Sequence, residues 1–190
     1  MPVKTPASAV DGAMVIGQAS APVTVSVYSD FLCPFCGTFE ATNGAMLQKY
    51  VTEGKIKVAF YPLTFLDRLS QGTQYSTRTA NDFVAVAQDA PATALAFSAA
   101  LFANQPTEGK AGLTDSQIID LAIKAGVPQT VTDTFKDQTY VPWTQQITQE
   151  AFGANPISGT PTAKINGTTF TGDLYTAGPL EEAIKKALTA

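Results

Sequence analysis

The sequence predicts an α/β fold in which a strand–helix–strand unit opens the chain, a block of helices follows, and two strands and a helix close it. Three observations predict this fold: apolar residues alternate at period two early in the chain, alanine-rich helical stretches take over from residue 67, and strand patterning returns near residue 160. With 190 residues, of which 45% are hydrophobic, the chain can form one large domain with its own core.

The strand–helix–strand unit comes first. Valines alternate with polar residues over 21–28, which predicts a strand with one buried face. Pro34 suits the first position of a helix and Gly54 suits its end, so a helix is predicted between them. A second strand follows over 55–63, and the crossover between the two parallel strands is expected to be right-handed. Residues 14–16 are interpreted as a minor edge strand ahead of this unit.

The middle of the chain predicts a helical block, whose helices are separated by Pro and Gly residues. Thr114 with Gln117 has the form of a capping box ahead of an apolar run. Trp143 is expected to be a packing residue of this block. The predicted helices span 75–88, 91–104, 114–125, 131–136 and 141–152.

Strand patterning returns near the end of the chain. Segments 162–165 and 168–170 are joined by Asn166-Gly167, a dipeptide that favours a tight type I′ hairpin. A last helix is predicted from about Pro179. The predicted division of the chain is 1–66 for the first part of the α/β fold, 67–152 for a helical insertion and 153–190 for the second part.

The composition excludes several classes of function. The net charge is −4, from 12 Lys and Arg against 16 Asp and Glu, which argues against a basic surface for nucleic acid or anionic lipid. The chain has no His, the commonest metal ligand and the usual general base near neutral pH. Hydrolase and zinc-enzyme mechanisms are therefore disfavoured, and cysteine chemistry remains.

The sequence also bears on the membrane. No run of about 18 apolar residues is present, and the first nine residues lack an apolar signal core, so we expect neither a membrane span nor an export signal in this stretch. A natural signal or anchor could have been removed, and residues 2–8 are interpreted as the stub of a tether below such an anchor. A cytosolic protein is the alternative.

Both cysteines lie in one tetrapeptide, Cys33-Pro34-Phe35-Cys36, between a predicted strand and a predicted helix. A metal site is disfavoured because two thiolates would need two further ligands, and the chain has neither His nor another cysteine pair. A purely structural disulfide would close so short a loop that it contributes only about 2 kcal/mol. The favoured interpretation is a redox-active pair that needs no other cofactor.

The helix start supplies a mechanism for this chemistry. If Pro34 is the first helical residue, Cys33 is the N-cap, and its sulfur faces the backbone N–H groups of Phe35 and Cys36 at the positive end of the helix dipole. Cysteines in such motifs have pKa values lowered from about 8.5 to between about 3.5 and 7.5. We therefore predict that Cys33 is the nucleophile and that Cys36, one turn later and more buried, is the resolving thiol.

Together these features resemble a known family. The segment from Val27 to Gly37 with its Cys-Pro-Phe-Cys motif, the helical insertion, the loop Gly159-Thr160-Pro161-Thr162 and the Asn166-Gly167 turn are similar to bacterial DsbA-like proteins of the thioredoxin superfamily, particularly the actinobacterial branch. The resemblance spans nearly the whole chain. It implies a thioredoxin fold with an inserted helical domain and thiol–disulfide exchange outside the cytoplasm.

The resemblance also implies how a substrate would bind. It places a cis peptide bond between Thr160 and Pro161 beside the cysteines, where the Thr160 backbone could pair with an extended substrate chain. Pro34 and Phe35 are expected to complete the substrate contact. Phe31 and Leu32 are either part of this apolar mouth or buried in the core, and for Phe31 the core is favoured.

Two departures from the family pattern affect the chemistry. Strong oxidases of the family often have His where this chain has Phe35, so we predict a less acidic Cys33 and a less oxidising disulfide here. Many thioredoxin-like proteins also have a buried acid six residues before the nucleophile, where this chain has Val27. The proton of Cys36 would then pass to water, to Glu40 or to Asp30, although for Asp30 we favour a loop role in which its carboxylate accepts backbone N–H groups.

The predicted function is a thiol–disulfide oxidoreductase that introduces disulfides into exported proteins. Its partners would be proteins with cysteines and a membrane or small-thiol redox partner for recycling, and we expect a monomer. The first alternative is a reductase, isomerase or thiol-dependent peroxidase recharged by a low-molecular-weight thiol system. It stays open because the direction of electron flow depends on the reduction potential, which the sequence does not determine. The second is a protein-binding module with a structural disulfide. An oxidase would work outside the cytosol, in the cell envelope.

Overall fold

The computed structural model describes residues 3–153 and 156–190 as a six-stranded mixed sheet flanked by helices. The strands are β1 (Ala9–Val10), β2 (Ala13–Ile16), β3 (Val23–Ser29), β4 (Ile56–Pro62), β5 (Thr162–Ile165) and β6 (Thr168–Thr169). The helices are α1 (Pro34–Thr52), α2 (Tyr75–Asp89), α3 (Ala94–Ala103), α4 (Asp115–Lys124), α5 (Gln129–Thr132), α6 (Val141–Ala151) and α7 (Pro179–Leu188).

The sheet has the strand order β1-β2-β4-β3-β5-β6. β3 and β4 are parallel and are connected through α1, with Val27 opposite Phe60 in the register. β5 runs antiparallel to β3 on its other side, and Tyr28 lies opposite Thr162. This arrangement confirms the predicted α/β class and brings the carboxyl end of β3 beside the amino end of β5.

The two faces of the sheet are covered by different helices, because side chains alternate along each strand. Val27 and Phe60 lie on the face against α1, where they line a small cavity together with Leu95 of α3. Tyr28 and Tyr61 stack on the opposite face, with ring centroids 4.0 Å apart. The start of α1 is therefore held over the first face, next to the end of β3.

The helices between β4 and β5 pack against the sheet and against each other. α2 contacts β2, β4 and α6, and most of its residues are buried. Its Phe83 ring lies 4.5 Å from the ring of Phe60 and 5.6 Å from that of Phe31, between centroids. Trp143 of α6 is buried in the same core, as predicted. The core is thus continuous from the sheet into the helical part.

Local sequence signals account for several ends and turns. The Thr114 side chain accepts from the Gln117 backbone N–H and the Gln117 side chain accepts from the Thr114 backbone, which confirms the predicted capping box. Asn166 and Gly167 have φ values of 47° and 83° in a two-residue hairpin, as the type I′ turn requires. The helix predicted over 91–104 begins with a 3₁₀ turn, Pro91–Thr93, and continues as α3. The helix predicted over 131–136 is divided into the end of α5 and a 3₁₀ turn, Phe135–Asp137.

One strand prediction was wrong. Residues 14–16 belong to β2, which is not an edge strand, because β1 pairs with its outer side. The two strands are joined by Asp11 and Gly12, both with positive φ. This Asp-Gly dipeptide favours a tight hairpin and was the signal for β1 in the sequence.

None of the helices in the part of the chain that the structure describes is both long and apolar enough to cross a membrane. Pro2, in the stretch interpreted as a tether, lies outside the described residues, as do residues 154–155 beside the predicted boundary at 153.

Candidate active site

Cys33 occupies the N-cap of α1, as the sequence predicts. Its backbone is extended, with φ −70° and ψ 117°, and Pro34 follows at the first helical position. Proline fits this position because its φ is already helical and the N–H it lacks would have had no partner within the helix. The strand-to-helix junction therefore places Cys33 where the helix dipole is positive.

The hydrogen bonding of the first turn differs from the prediction. The N–H groups of Cys36 and Gly37 donate to the backbone carbonyl of Cys33, at 3.0 Å and 3.2 Å. The Cys33 sulfur makes no capping hydrogen bond of standard geometry. The first turn is thus closed by its own backbone, and the amides of Phe35 and Cys36 still lower the pKa of Cys33.

The two thiols are free, and their environments move their pKa values in opposite directions. Hydrogen bonding from the Cys36 thiol, with help from the Thr160 side chain and the amides of Cys36 and Phe35, lowers the pKa of Cys33 to about 6 against the effect of burial. Burial raises the pKa of Cys36 well above its ordinary value, and the hydrogen bond and charge of Cys33 raise it further. Cys33 keeps 5% of its surface exposed and Cys36 none. The pair therefore has one slightly exposed sulfur that favours the thiolate and one fully buried thiol.

Thr160 and Pro161 lie beside the cysteines, although 127 residues separate Thr160 from Cys33. The Cys33 thiol donates to the Thr160 carbonyl oxygen at an S···O distance of 3.5 Å, and the Thr160–Pro161 peptide bond is cis. The loop reaches the site because it immediately precedes β5, which pairs with β3. The structure thus brings both segments of the predicted site together.

Of the three apolar residues considered for the mouth of the site, only one is at the surface. Phe35 is 62% exposed, whereas Phe31 and Leu32 are buried in the core. The interpretation of Leu32 as part of the apolar mouth is wrong, because the turn before Cys33 directs its side chain into the core together with that of Phe31. Phe35 instead lies beside Tyr175, which precedes α7 and is 44% exposed, with the two ring centroids 5.9 Å apart.

Gln105 is a residue of the site that the sequence analysis missed. It follows α3, and its side-chain amide donates to the carbonyl oxygens of Phe31 and Cys33, both at 2.9 Å. It also packs over Gly37, where an added Cβ would lie 2.6 Å from its Oε1 atom. No local pattern marks Gln105, because its partners are about 70 residues away in the sequence.

Asp30 has the loop role that the sequence analysis favoured. Its carboxylate accepts from the backbone N–H of Leu32 at 2.9 Å and of Leu66 at 3.1 Å. Burial raises the pKa of Asp30 to about 7, against the effect of the hydrogen bond from Leu32. Asp30 thus ties the loop before Cys33 to the segment after β4.

Glu40 lies on the same face of the sheet as Val27, the position at which the sequence analysis noted that a buried acid is missing. Its half-buried side chain and Val27 line the same cavity of about 10 Å³, which is close to the smallest space that holds a water molecule. The carboxyl lies over Gly44, and an added Cβ at that position would displace it. Burial raises the pKa of Glu40 to about 7.

The described residues contain no group of three or more His, Cys, Asp or Glu side chains that could hold a metal ion. The site combines two sulfurs with separated pKa values, an exposed aromatic pair and the backbone of Thr160 beside Cys33. This arrangement can carry out thiol–disulfide exchange, in which a thiolate attacks a disulfide sulfur.

Comparison with known proteins gives the same chemistry. A family model described as thioredoxin matches residues 9–186. The reduced form of the disulfide bond oxidoreductase DsbG from Mycobacterium tuberculosis superposes with a TM-score of 0.79 at 29% identity, covering 94% of this chain and 88% of that one. Reduced DsbA from the same organism has a TM-score of 0.79 at 27% identity, covering 94% and 93%.

Two curated relatives extend the comparison. The serine/threonine-protein kinase PknE of Mycobacterium tuberculosis is 32% identical over 130 residues, which are 66% of this chain and 23% of the kinase. The chain thus spans about a quarter of the length of these first relatives. Disulfide bond formation protein D of Bacillus subtilis is 25% identical over 160 residues, covering 83% of this chain and 69% of that protein.

Proposed function

Because the chain belongs to the thioredoxin family and is similar in structure to DsbA, we propose that it is a dithiol–disulfide oxidoreductase that introduces disulfides into exported proteins through Cys33 and Cys36. The observation that carries the proposal is the opposite shift of the two thiols, with the pKa of Cys33 at about 6 and that of Cys36 raised. At neutral pH the reduced protein then holds Cys33 mainly as the thiolate. Stabilising the reduced form in this way makes the corresponding disulfide a better oxidant.

The reaction begins with the oxidised protein. A substrate thiolate attacks the Cys33 sulfur, a bond forms between the two, and the Cys33–Cys36 bond breaks with Cys36 leaving as a thiolate that then takes up a proton. A second substrate thiolate attacks the substrate sulfur of this mixed disulfide and releases Cys33 as a thiolate. The substrate has then gained a disulfide and the cysteine pair two electrons, which pass to a membrane or small-thiol redox partner.

The surroundings of Cys33 suit a substrate chain. We propose that the Thr160 backbone next to Pro161 pairs with an extended segment around the substrate cysteine. The exposed side chain of Phe35, beside Pro34 in the motif, would contact apolar residues of the same segment. These contacts would direct the substrate sulfur toward Cys33.

The location proposed for this activity follows from its chemistry. Disulfides form and persist in oxidising compartments outside the cytosol, so a disulfide-introducing enzyme would act there, in the cell envelope. We also propose that a segment preceding this chain tethers the protein to the cell membrane.

Direction of electron flow separates this proposal from its alternatives. A reductase, an isomerase or a thiol-dependent peroxidase recharged by low-molecular-weight thiols would use the same two sulfurs with a lower reduction potential. A binding module with a structural disulfide is disfavoured by the family, whose members in the comparisons include disulfide oxidoreductases.

The deciding experiment is the reduction potential of the Cys33–Cys36 pair, measured by equilibration with glutathione buffers. A value near or above about −180 mV supports the oxidase, and a value near about −270 mV, as in thioredoxin, supports a reductase. A Cys36→Ser variant whose Cys33 first carries glutathione in a mixed disulfide should exchange the glutathione for thiol-bearing protein substrates, releasing glutathione as a thiol and accumulating protein mixed disulfides on Cys33. Retention of partners without any such covalent adduct would contradict the enzymatic proposal and favour the binding module.

A further inference from the structure

Ser29, the last residue of β3, carries a buried hydroxyl. The residue is 2% exposed, and its Oγ atom has no hydrogen-bond partner among residues 3–153 and 156–190. An unpaired buried polar group costs free energy, so its presence in a folded protein calls for an explanation.

The alternation of β3 places this hydroxyl on the side of the resolving cysteine. Val27 lines a cavity with Phe39 of α1, so its face of the strand is covered by α1. Ser29, two residues later, lies on the same face at the end of the strand. Cys36 is in the first turn of α1 and fully buried. Consistent with this placement, the Ser29 side chain favours the charged form of Cys36 and so lowers the pKa of Cys36 against the effect of burial.

We propose that the Ser29 hydroxyl is held in place as a hydrogen-bond donor for the Cys36 thiolate, the anion that exists only while a disulfide is being exchanged. This inference rests on the proposed function of the Cys33–Cys36 pair. A donor fixed where charge develops stabilises that charge without having to reorganise during the reaction. The unpaired hydroxyl of the resting, reduced protein is then explained by a partner that appears transiently.

The same anion forms in both directions of the reaction. When a substrate thiolate attacks Cys33 in the oxidised protein, the Cys33–Cys36 bond breaks and Cys36 leaves with the electron pair. In the reverse direction, Cys36 loses its proton, attacks Cys33 in the mixed disulfide, and the substrate leaves as a thiolate. Because a lower pKa of the leaving thiol speeds exchange, a donor to Cys36 accelerates the first step.

The test compares oxidised Ser29→Ala with the wild type in the reaction with reduced glutathione, with mixed disulfide measured by acid quench and mass spectrometry. A hydrogen bond to a charged group, partly formed in the transition state, predicts a rate about five- to tenfold lower for the variant. Ser29→Thr keeps a hydroxyl and should retain most of the wild-type rate. Ser98→Ala removes another buried, unpaired hydroxyl, on α3, and should react like the wild type.

Two further measurements distinguish this role from simple packing. The thiolate titration of Cys33 in reduced Ser29→Ala should be unchanged, and its urea midpoint should not fall, since the variant removes an unpaired group. If Ser29→Ala does not fold, Ser29→Gly, which also lacks the hydroxyl, must show the slow reaction instead.

The inference is overturned if the variant without the hydroxyl reacts as fast as the wild type, or if Ser29→Thr or Ser98→Ala is slowed equally. A wild-type protein that forms no mixed disulfide with glutathione would instead refute the proposed function.

Discussion

The side-chain amide of Gln105 donates a hydrogen bond of 2.9 Å to the carbonyl oxygen of Cys33, although 72 residues separate them in the sequence. Gln105 follows α3, one of the helices between β4 and β5, and Cys33 is the N-cap of α1. The same amide also donates to Phe31, on the other side of Leu32. The helical segment between β4 and β5 therefore holds the backbone of the active-site turn directly.

We expect Gln105→Ala to loosen this turn. The change leaves the partly buried Phe31 carbonyl without this donor, which predicts a loss of about 1–2 kcal/mol in the free energy of unfolding. Exchange at Cys33 should also slow, because the turn no longer fixes the sulfur against Thr160. Urea unfolding and the rate with a cysteine-containing peptide measure the two effects.

The neighbouring Asn104 provides the control. Its amide donates only to Ala100 within the exposed end of the helix, so Asn104→Ala should change neither quantity appreciably. Equal behaviour of the two variants would show that Gln105 does not support the site.

Introducing His between the cysteines, at position 35, should lower the pKa of Cys33. A cationic imidazole next to Cys33 favours the thiolate, so Phe35→His is expected to lower the pKa of Cys33 by about one unit and to raise the reduction potential of the pair. Thiolate absorbance during a pH titration reports the first effect, and glutathione equilibration the second. Phe35→Leu, which stays apolar, should leave the pKa near the wild-type value of about 6. A wild-type pKa already near the bottom of the family range would refute the prediction that Phe35 makes this site less acidic.

Glu40 offers a test of how the proton of Cys36 moves. Since its pKa is raised to about 7 by burial, Glu40 changes protonation near neutral pH on the face of the sheet covered by α1. We expect resolution of the mixed disulfide to accelerate as pH rises through about 7, when Glu40 becomes a base. Glu40→Gln should flatten this pH profile, whereas Glu53→Gln, just beyond the end of α1, should not. If Glu40→Gln keeps the wild-type pH profile, Glu40 is not the acceptor of the Cys36 proton, and the proton passes to water instead.

The sequence predicted the features that short segments determine. The Cys33-Pro34 junction, the Thr114 capping box and the Asn166-Gly167 turn depend on neighbouring residues, and all three have the predicted geometry. The alternating strands were also predictable, because one buried face leaves a period-two pattern.

Features that depend on distant parts of the chain could not be derived in the same way. Gln105 contacts Cys33 from the end of α3, and Tyr175 contacts Phe35 from the loop before α7. Neither position carries a local signal. The inward position of Leu32 follows from a turn whose direction periodicity does not define. The proximity of Thr160 to Cys33 was expected only from family resemblance, since the pairing of β3 with β5 that produces it joins opposite ends of the chain.

The buried carboxyl of Asp82 predicts how stability depends on pH. Asp82 is 5% exposed on α2, and burial raises its pKa to about 7, against the effect of the hydrogen bond from Asn81. The folded state then keeps a proton that the unfolded chain loses above about pH 4. Since the folded state binds more protons across this window, the free energy of unfolding should fall as pH rises from about 4 toward 7. Asp30 contributes in the same direction.

Urea unfolding of the oxidised protein, in which neither cysteine titrates, isolates this effect. Between pH 4.5 and 6.5 the Asp82→Asn variant should lose part of the wild-type slope, by about 1–2 kcal/mol over the window, because its side chain cannot ionise. Asp120→Asn, at an exposed position of α4, should retain the full slope. The prediction is refuted if the free energy of unfolding of Asp82→Asn falls with rising pH as steeply as that of the wild type. The folded protein would then not retain a proton on Asp82, and the pH dependence would come from Asp30 and Glu40.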